Sequence, residues 1–477
     1  MATVICWFHH DLRIGDHPAL TAAIASGAAV LPIYILDDDA AGDWAMGGAS
    51  RWWLHHSLSD LEQGLRRLGG GLIIRRGDAE ALIPQLMAET GATALYTSRR
   101  GEPWAKQQLD RIIASLKPRG ITTHISNGPF LIEPGDVLSK SGTRMKVFTP
   151  FKRNLLARGQ IRAVLPRPQR IPYPQDLPSS LSVDDLNLLP RNPDWSGGLA
   201  QHWRVGEAAA MMRLQNFLDD IAANYHISRD HPSEIGTSRL SPHLHFGEIS
   251  PVTIYHAVME QTGYAPSEGF EVFLSEVIWR EFSYELMDQC PHMPDQPLRP
   301  EFNAIPWASD CQEQLAAWQK GQTGYPLIDA GMRELYETGW MHNRVRMITA
   351  SFLTKHLLVP WQEGEKWFFD TLVDADLASN SAGWQWVAGC GADASPYFRV
   401  FNPITQGTKF DAGRYVRRWC PELRELDDRS IFAPFDAPPT VLMGAGVVLG
   451  KNYPHPLISH SEGRERALNA FAQIKAK

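Results

Sequence analysis

At 477 residues the chain has room for two or three domains, and its 44% hydrophobic content gives it large cores and excludes the disordered class. A formal net charge of -7 speaks against a dedicated nucleic-acid binder, whose affinity rests on Lys and Arg, although a local basic cleft on an acidic protein could still hold DNA. Its five cysteines (Cys6, Cys290, Cys311, Cys390 and Cys420) are scattered with no C-x-x-C pair, which argues against a disulfide framework or a zinc ribbon and for a reduced, cytoplasmic setting.

The opening MATVICWFHHDLR has no basic segment followed by a long apolar one, so no signal peptide is expected. The apolar run from Ala28 to Leu36 is of strand length, far too short to cross a bilayer, so a soluble protein without membrane attachment is expected. Strand candidates Val4–Phe8, Ala29–Leu36, Leu72–Arg75, Ala94–Thr97 and Thr122–Ile125 alternate with helical patterns at Pro18–Ala25, Arg51–Leu68, Ala79–Glu89 and Pro103–Leu116. This predicts an α/β domain over 1–130, a doubly wound parallel sheet whose Val/Ile/Leu-rich strands are buried on both faces. The turn after the first strand reads His9-His10-Asp11-Leu12-Arg13 and lacks G-x-G-x-x-G, so a conventional dinucleotide site there is not expected.

From 131 to 206 prolines crowd in and no long period survives, which predicts an extended connector over the surface. From 207 to 477 the chain reads as an all-α domain, with apolar spacing near the helical period over Glu207–Asn224, Gly269–Met287, Pro326–Thr338, Met341–His356 and Glu363–Leu372.

Within that helical region four segments carry unusual chemistry. Gly236-Thr237-Ser238-Arg239-Leu240-Ser241-Pro242 reads as a helix start that could cap itself or receive an anion. Phe273, Glu276 and Arg280 fall near one helix face with Trp279 beside them, either as a core Trp with an ion pair or as a wall for a flat heteroaromatic ligand. Asn343 and Met347 point the same way, with Arg344 and Arg346 adjacent, an odd set for a core helix. Asp374 and Asp376 could hold a metal, but no third carboxylate is near, and the small residues that follow suit close approach to a planar ligand better. The 16 tryptophans are either core fillers or partners of aromatic ligands and electrons.

Together with WFHHDLR, KVFTPFKRN, GTSRLSPHLHFGEIS, SEVIWREF, GYPLIDAGMREL, GWMHNRVRM, DADLASNSAGWQW and SPYFRVFNP in order, these segments make the chain resemble the photolyase/cryptochrome family over nearly its whole length. GGASRWWLHHSL and KHLLVPW point to the bacterial class III branch of cyclobutane pyrimidine dimer photolyases. The resemblance implies a light-driven DNA lyase that passes one electron from excited reduced FAD to the dimer, with no metal. It implies FAD held by Tyr225, Thr237, Ser238, Arg239, Leu240, Ser241 and Phe273, the last at a position where the family often has Trp. Arg280, Arg346, Asp374 and Asp376 would surround the isoalloxazine, with Arg346 and Asp374 a buried pair, and Asn380 would face flavin N5.

The same resemblance assigns Trp279 and Trp386 to flank the lesion, Glu276, Asn343 and Met347 to line its pocket, and Arg229, Arg344 and Gln406 to contact UV-damaged DNA. Trp384, Trp361 and Trp307 would carry electrons from flavin to surface. It also implies a light-harvesting antenna in the α/β domain. Either this is 5,10-methenyltetrahydrofolate beside Glu102 and Trp104, or it is an 8-hydroxy-deazaflavin near Asp37 and Arg51. A monomer is expected. The rival family reading is a cryptochrome-type photoreceptor, against which Asn380 and the lack of a long polar tail speak.

Overall fold

A computed structural model describes residues 2–159, 161–397 and 399–475, so Phe398 of the SPYFRVFNP string lies outside the described residues. The chain divides into two compact units. One comprises Met1–Ala223, Ser238–Pro291 and Val373–Ala378; the other comprises Asn224–Thr237, His292–Leu372 and Ser379–Lys477.

The first unit is built on five parallel strands, β1 (Thr3–Phe8), β2 (Ala29–Leu36), β3 (Ile73–Arg76), β4 (Ala94–Ser98) and β5 (Thr122–Ser126), in the order β3-β2-β1-β4-β5. Helices α1 (Pro18–Ala25), α2 (Gly48–Arg67), α3 (Ala79–Thr90) and α4 (Pro103–Leu116) connect them, so the doubly wound sheet expected from the alternating pattern is present. Burial of β2 on both faces follows from its unbroken AVLPIYIL run. β5 departs from the expectation: it is the edge strand, and its TTHIS sequence is largely solvent-facing.

Local signals set the helix ends. His17 caps α1 by accepting the Leu20 N–H at 3.1 Å, with Pro18 in the first turn. Asp78 caps α3 through the Glu80 N–H at 2.9 Å, and Gly91 ends it at φ 62°. The turn after β1, where a dinucleotide fold would cradle pyrophosphate, is filled by the buried Arg13, which donates to the carbonyls of Gly247 (2.9 Å) and Gly128 (3.0 Å).

The segment read as an extended connector contains an 11-residue helix, α5 (Phe148–Arg158), which packs on the long Glu268–Gln289 helix. In the second unit the Pro326–Thr338 helix starts on Pro326 and ends at Gly339 with φ 67°. Asp329 in its first turn is fully buried and satisfied, accepting from Thr323 N–H and Oγ1 (both 2.7 Å) and from Tyr453 Oη (2.7 Å). The helix expected over Met341–His356 begins later, at Asn343, and ends in a π-helical turn, Phe352–His356.

Candidate functional site

In the first unit the Glu268–Gln289 helix presents Glu276 and Trp279 half-buried, three residues apart and so on one side. Phe273 is buried instead against Phe217, ring centroids 4.4 Å apart. Arg280 Nη1 donates to Pro129 O and Glu281 Oε1 (2.9 Å each), and its guanidinium lies 4.9 Å from the Tyr284 ring. Burial pushes the Glu281 carboxyl up to about 7, against the opposing pull of Arg280 and of the Leu131 and Ile132 N–H groups. Asp374 and Asp376 are both buried, and Tyr284 Oη donates to Asp376. Burial, reinforced by Asp376, holds the Tyr284 phenol well above its ordinary range. Ser238 Oγ accepts the Leu240 N–H at 3.4 Å, Arg239 sits at φ 50°, Leu240 is buried, and Ser241 opens a short helix to His245. A helix therefore does start at Ser241, and the left-handed Arg239 precedes it.

The same unit holds a small cleft lined by His10, Arg100, Glu102, His245, Arg280 and Tyr284 among others. Arg100 pairs with Glu102 at 3.1 Å and lies 4.4 Å over the Trp104 ring, while His10 Nδ1 is 3.6 Å from Glu102. Burial would raise the Glu102 carboxyl, but the Arg100 guanidinium beside it outweighs this and brings it down to about 2. Burial keeps His9, His10 and His245 neutral, His9 down to about 3. The pocket therefore offers a fixed anion, a stacked guanidinium and neutral imidazoles. By contrast Asp37 is already used by Ala79 N–H (2.9 Å) and Gln108 Nε2 (2.7 Å), and Arg51 by Asp38 (2.6 Å) and Met46 O (2.9 Å).

In the second unit the Asn343–Ser351 helix leaves Asn343 exposed and Met347 half-buried at i and i+4, one accessible stripe carrying no titratable group at either position. Arg346 Nε donates to Met341 O (2.7 Å); Arg344 pairs with Asp230 (2.5 Å) and lies 4.6 Å over Phe410. Tyr225 is buried, Arg229 lies 5.4 Å over its ring, and Thr237 is half-buried after Gly236, where a Cβ would meet Ser228 O at 2.3 Å. Gln406 is half-buried on the Pro403–Phe410 helix.

The Leu377–Ala388 helix carries Asn380, Trp384 and Trp386. Asn380 Nδ2 donates to Glu365 O at 3.0 Å. A carbonyl can only accept, so this bond fixes the amide and leaves its Oδ1 as an acceptor on the other side. Burial pushes the Glu365 carboxyl well above the usual range, and Ser381 Oγ donates to it at 2.5 Å. Trp384 and Trp361 are both buried, each 2% exposed, and Trp307 is half-buried. Trp384 settles against Gly364, where a Cβ would meet its ring at 2.1 Å, and meets Trp318 edge-on at 6.1 Å. Trp318 is a neighbour that sequence spacing did not single out. Trp386 is half-buried, and its carbonyl accepts the Ser395 N–H at 3.3 Å.

Two family models match the chain: DNA photolyase over residues 4–174, and the FAD binding domain of DNA photolyase over 273–473. The chain belongs to the photolyase/cryptochrome family. A deoxyribodipyrimidine photo-lyase from Agrobacterium fabrum is 45% identical over 475 residues, covering 99% of this chain and 98% of that protein. The Escherichia coli deoxyribodipyrimidine photo-lyase is 36% identical over 99% of this chain and 98% of its own length. Cryptochrome-1 of Arabidopsis thaliana is 35% identical over 98% of this chain but only 70% of its own length. The crystal structure of a bacterial class III photolyase from Agrobacterium tumefaciens superposes with a TM-score of 0.97, covering 100% of this chain and 98% of that one.

Proposed function

We propose that this chain is a deoxyribodipyrimidine photo-lyase of the class III type, repairing cyclobutane pyrimidine dimers in DNA under blue or near-UV light with FAD as cofactor. The observation that carries the reading is the orientation of Asn380. One Nδ2 hydrogen goes to the Glu365 carbonyl and so sets the amide's orientation, with Oδ1 as the acceptor for an N–H, which fits the N5–H of a reduced flavin and cannot protonate it. Reduced FAD, when bound and excited, supplies the electron that opens the cyclobutane ring and takes it back.

The chain's own residues supply positioning and electrostatics. Thr237, Ser238, Arg239, Leu240, Ser241 and Tyr225 are offered for the cofactor's phosphates and ribityl chain. Arg280, Arg346, Asp374 and Asp376 are offered for its ring. Trp279 and Trp386 stack the unpaired bases, a use for which the handed-out base must leave the duplex, as photolyases are known to require. Glu276, when protonated, donates a hydrogen bond to a pyrimidine carbonyl where charge develops. Asn343 and Met347 orient and pack the lesion, and neither titrates; repair of a (6-4) product needs proton movement between the bases, so the dimer is the better substrate. Arg229, Arg344 and Gln406 contact the DNA backbone.

For the antenna, the likeness to the class III branch supports 5,10-methenyltetrahydrofolate over a deazaflavin, with Glu102 and Trp104, joined through Arg100, as its neighbours. Mass spectrometry of the extracted pigment decides it, and a deazaflavin mass ends the folate proposal. The activity is tested by loss of dimers from an irradiated oligonucleotide, in blue light and in darkness, alongside a purified (6-4) oligonucleotide. Light-dependent dimer loss is expected; repair of the (6-4) lesion alone overturns the assignment.

A further inference from the structure

A tryptophan that stacks a substrate base has to be held still, and the surroundings of Trp279 do this from within the first unit. Its ring lies flat on Phe148 of α5, centroids 3.7 Å apart and planes 8° from parallel. Phe282, one turn further along the Glu268–Gln289 helix, meets both rings edge-on, Trp279 at 5.7 Å and Phe148 at 5.9 Å. Phe151 closes behind Phe282 at 5.3 Å. One turn before Trp279, Lys152 Nζ donates to Ser275 Oγ at 2.5 Å and ties α5 to the same helix.

A plain core explanation would have the Trp buried with its partners. Instead Phe148 is only 8% exposed while Trp279, like Glu276 on the same side, stays half-buried. One face of the indole is covered and its edge clamped, so it cannot rotate without leaving Phe148, and the surface it keeps is presented in a fixed plane. Pre-setting a ring in this way removes the ordering cost that stacking on a base would otherwise incur.

We propose that Phe148 is a positioning residue for the lesion: by stacking on Trp279 it fixes the plane on which the unpaired pyrimidine lies. The proposal rests on the dimer-repair reading above.

The test uses FAD-loaded protein titrated in the dark with dimer-bearing and undamaged oligonucleotides. Phe148→Leu should weaken dimer binding by about three- to tenfold, the worth of one aromatic pair, and leave affinity for undamaged DNA unchanged. Phe148→Tyr should restore dimer binding. Phe151→Leu, which thins the same cluster without touching Trp279, should lower Tm and keep the dimer-to-undamaged ratio. If Phe148→Leu does not load FAD, Phe148→Met keeps the side chain's bulk without the flat ring and carries the same reading. The proposal falls if Phe148→Leu or Phe148→Met keeps the native ratio, or if Phe151→Leu lowers it equally. A native protein without preference for the dimer would instead overturn the functional reading, so the two failures are distinguishable.

Discussion

Glu276 and Trp279 share one side of a helix and are given different work by their chemistry. An indole offers area and a π-face, so Trp279→Ala removes binding: dimer affinity should fall roughly five- to hundredfold, the range of one stacked base. A carboxyl offers one hydrogen bond whose value grows as charge develops, so Glu276→Ala should leave affinity nearly intact and lower repair per photon roughly five- to tenfold. Dark binding isotherms and photon-counted repair separate the two, and equal losses in both assays for both variants would contradict the division. Trp384 is a third residue with one decisive test. It is buried between Gly364, Phe368 and Trp318, so Trp384→Phe preserves bulk while removing the readily oxidised ring. Photoreduction of oxidised FAD should be abolished, followed by absorbance under blue light, while repair by enzyme reduced beforehand with dithionite persists. Trp318 touches the same ring, so normal photoreduction in the Trp384 variant would take the route away from Trp384 altogether.

At the scale of elements, the regular ones were legible and the irregular ones were not. Pro18–Ala25, Pro103–Leu116 and Pro326–Thr338 could be bounded from sequence because Pro marks each start and the apolar spacing is regular. α5 was not, because Val147, Thr149 and Pro150 at its start look like an extended turn in a proline-rich stretch. Its helix exists through Phe148 and Phe151, whose partners Trp279 and Phe282 lie on the distant Glu268–Gln289 helix. The motif strings named Trp279 as a candidate, yet what holds it is a contact between segments far apart in the chain, which no local pattern encodes. The π turn Phe352–His356 was equally hidden and makes its own prediction. It buries Lys355 completely, with Nζ donating to Arg399 O at 3.1 Å and no carboxylate partner among the described residues. Burial, aided by Arg399, lowers this amine from 10.5 to about 7. A depressed folded-state value means that the unfolded chain gains the proton first, so stability is complete above about pH 10.5 and is lost as pH falls towards about 7. Lys355→Met removes that loss. Its Tm should exceed the native by a few degrees near neutrality, and the two curves should converge as pH rises towards 10.5. Parallel Tm curves over that range would exclude the ammonium as the titrating group.

For the whole molecule, the awkward fact is a net charge of -7 on a protein proposed to bind DNA. The long-range field repels a polyanion, so on the proposed reading attachment rests on local cations such as Arg229 and Arg344, and the case to test is that they are few. Arg344 is held at the ready by Asp230 at 2.5 Å instead of lying free. Few phosphate contacts mean little counterion release, and the logarithm of affinity should fall with the logarithm of salt at a slope of about -2 to -4, shallow for a DNA-binding protein. If preference for the dimer comes, as proposed, from stacking on Trp279 and Trp386 and packing on Met347, it releases no counterions. The salt slopes for dimer-bearing and undamaged oligonucleotides should therefore be parallel, with the dimer line displaced upward by a constant amount at every salt concentration. Fluorescence anisotropy in the dark between about 50 and 200 mM salt measures both lines. A dimer line much steeper than the undamaged one would place lesion recognition on cations instead of on the aromatic wall. Coincident lines would mean that the flipped lesion is not held at all.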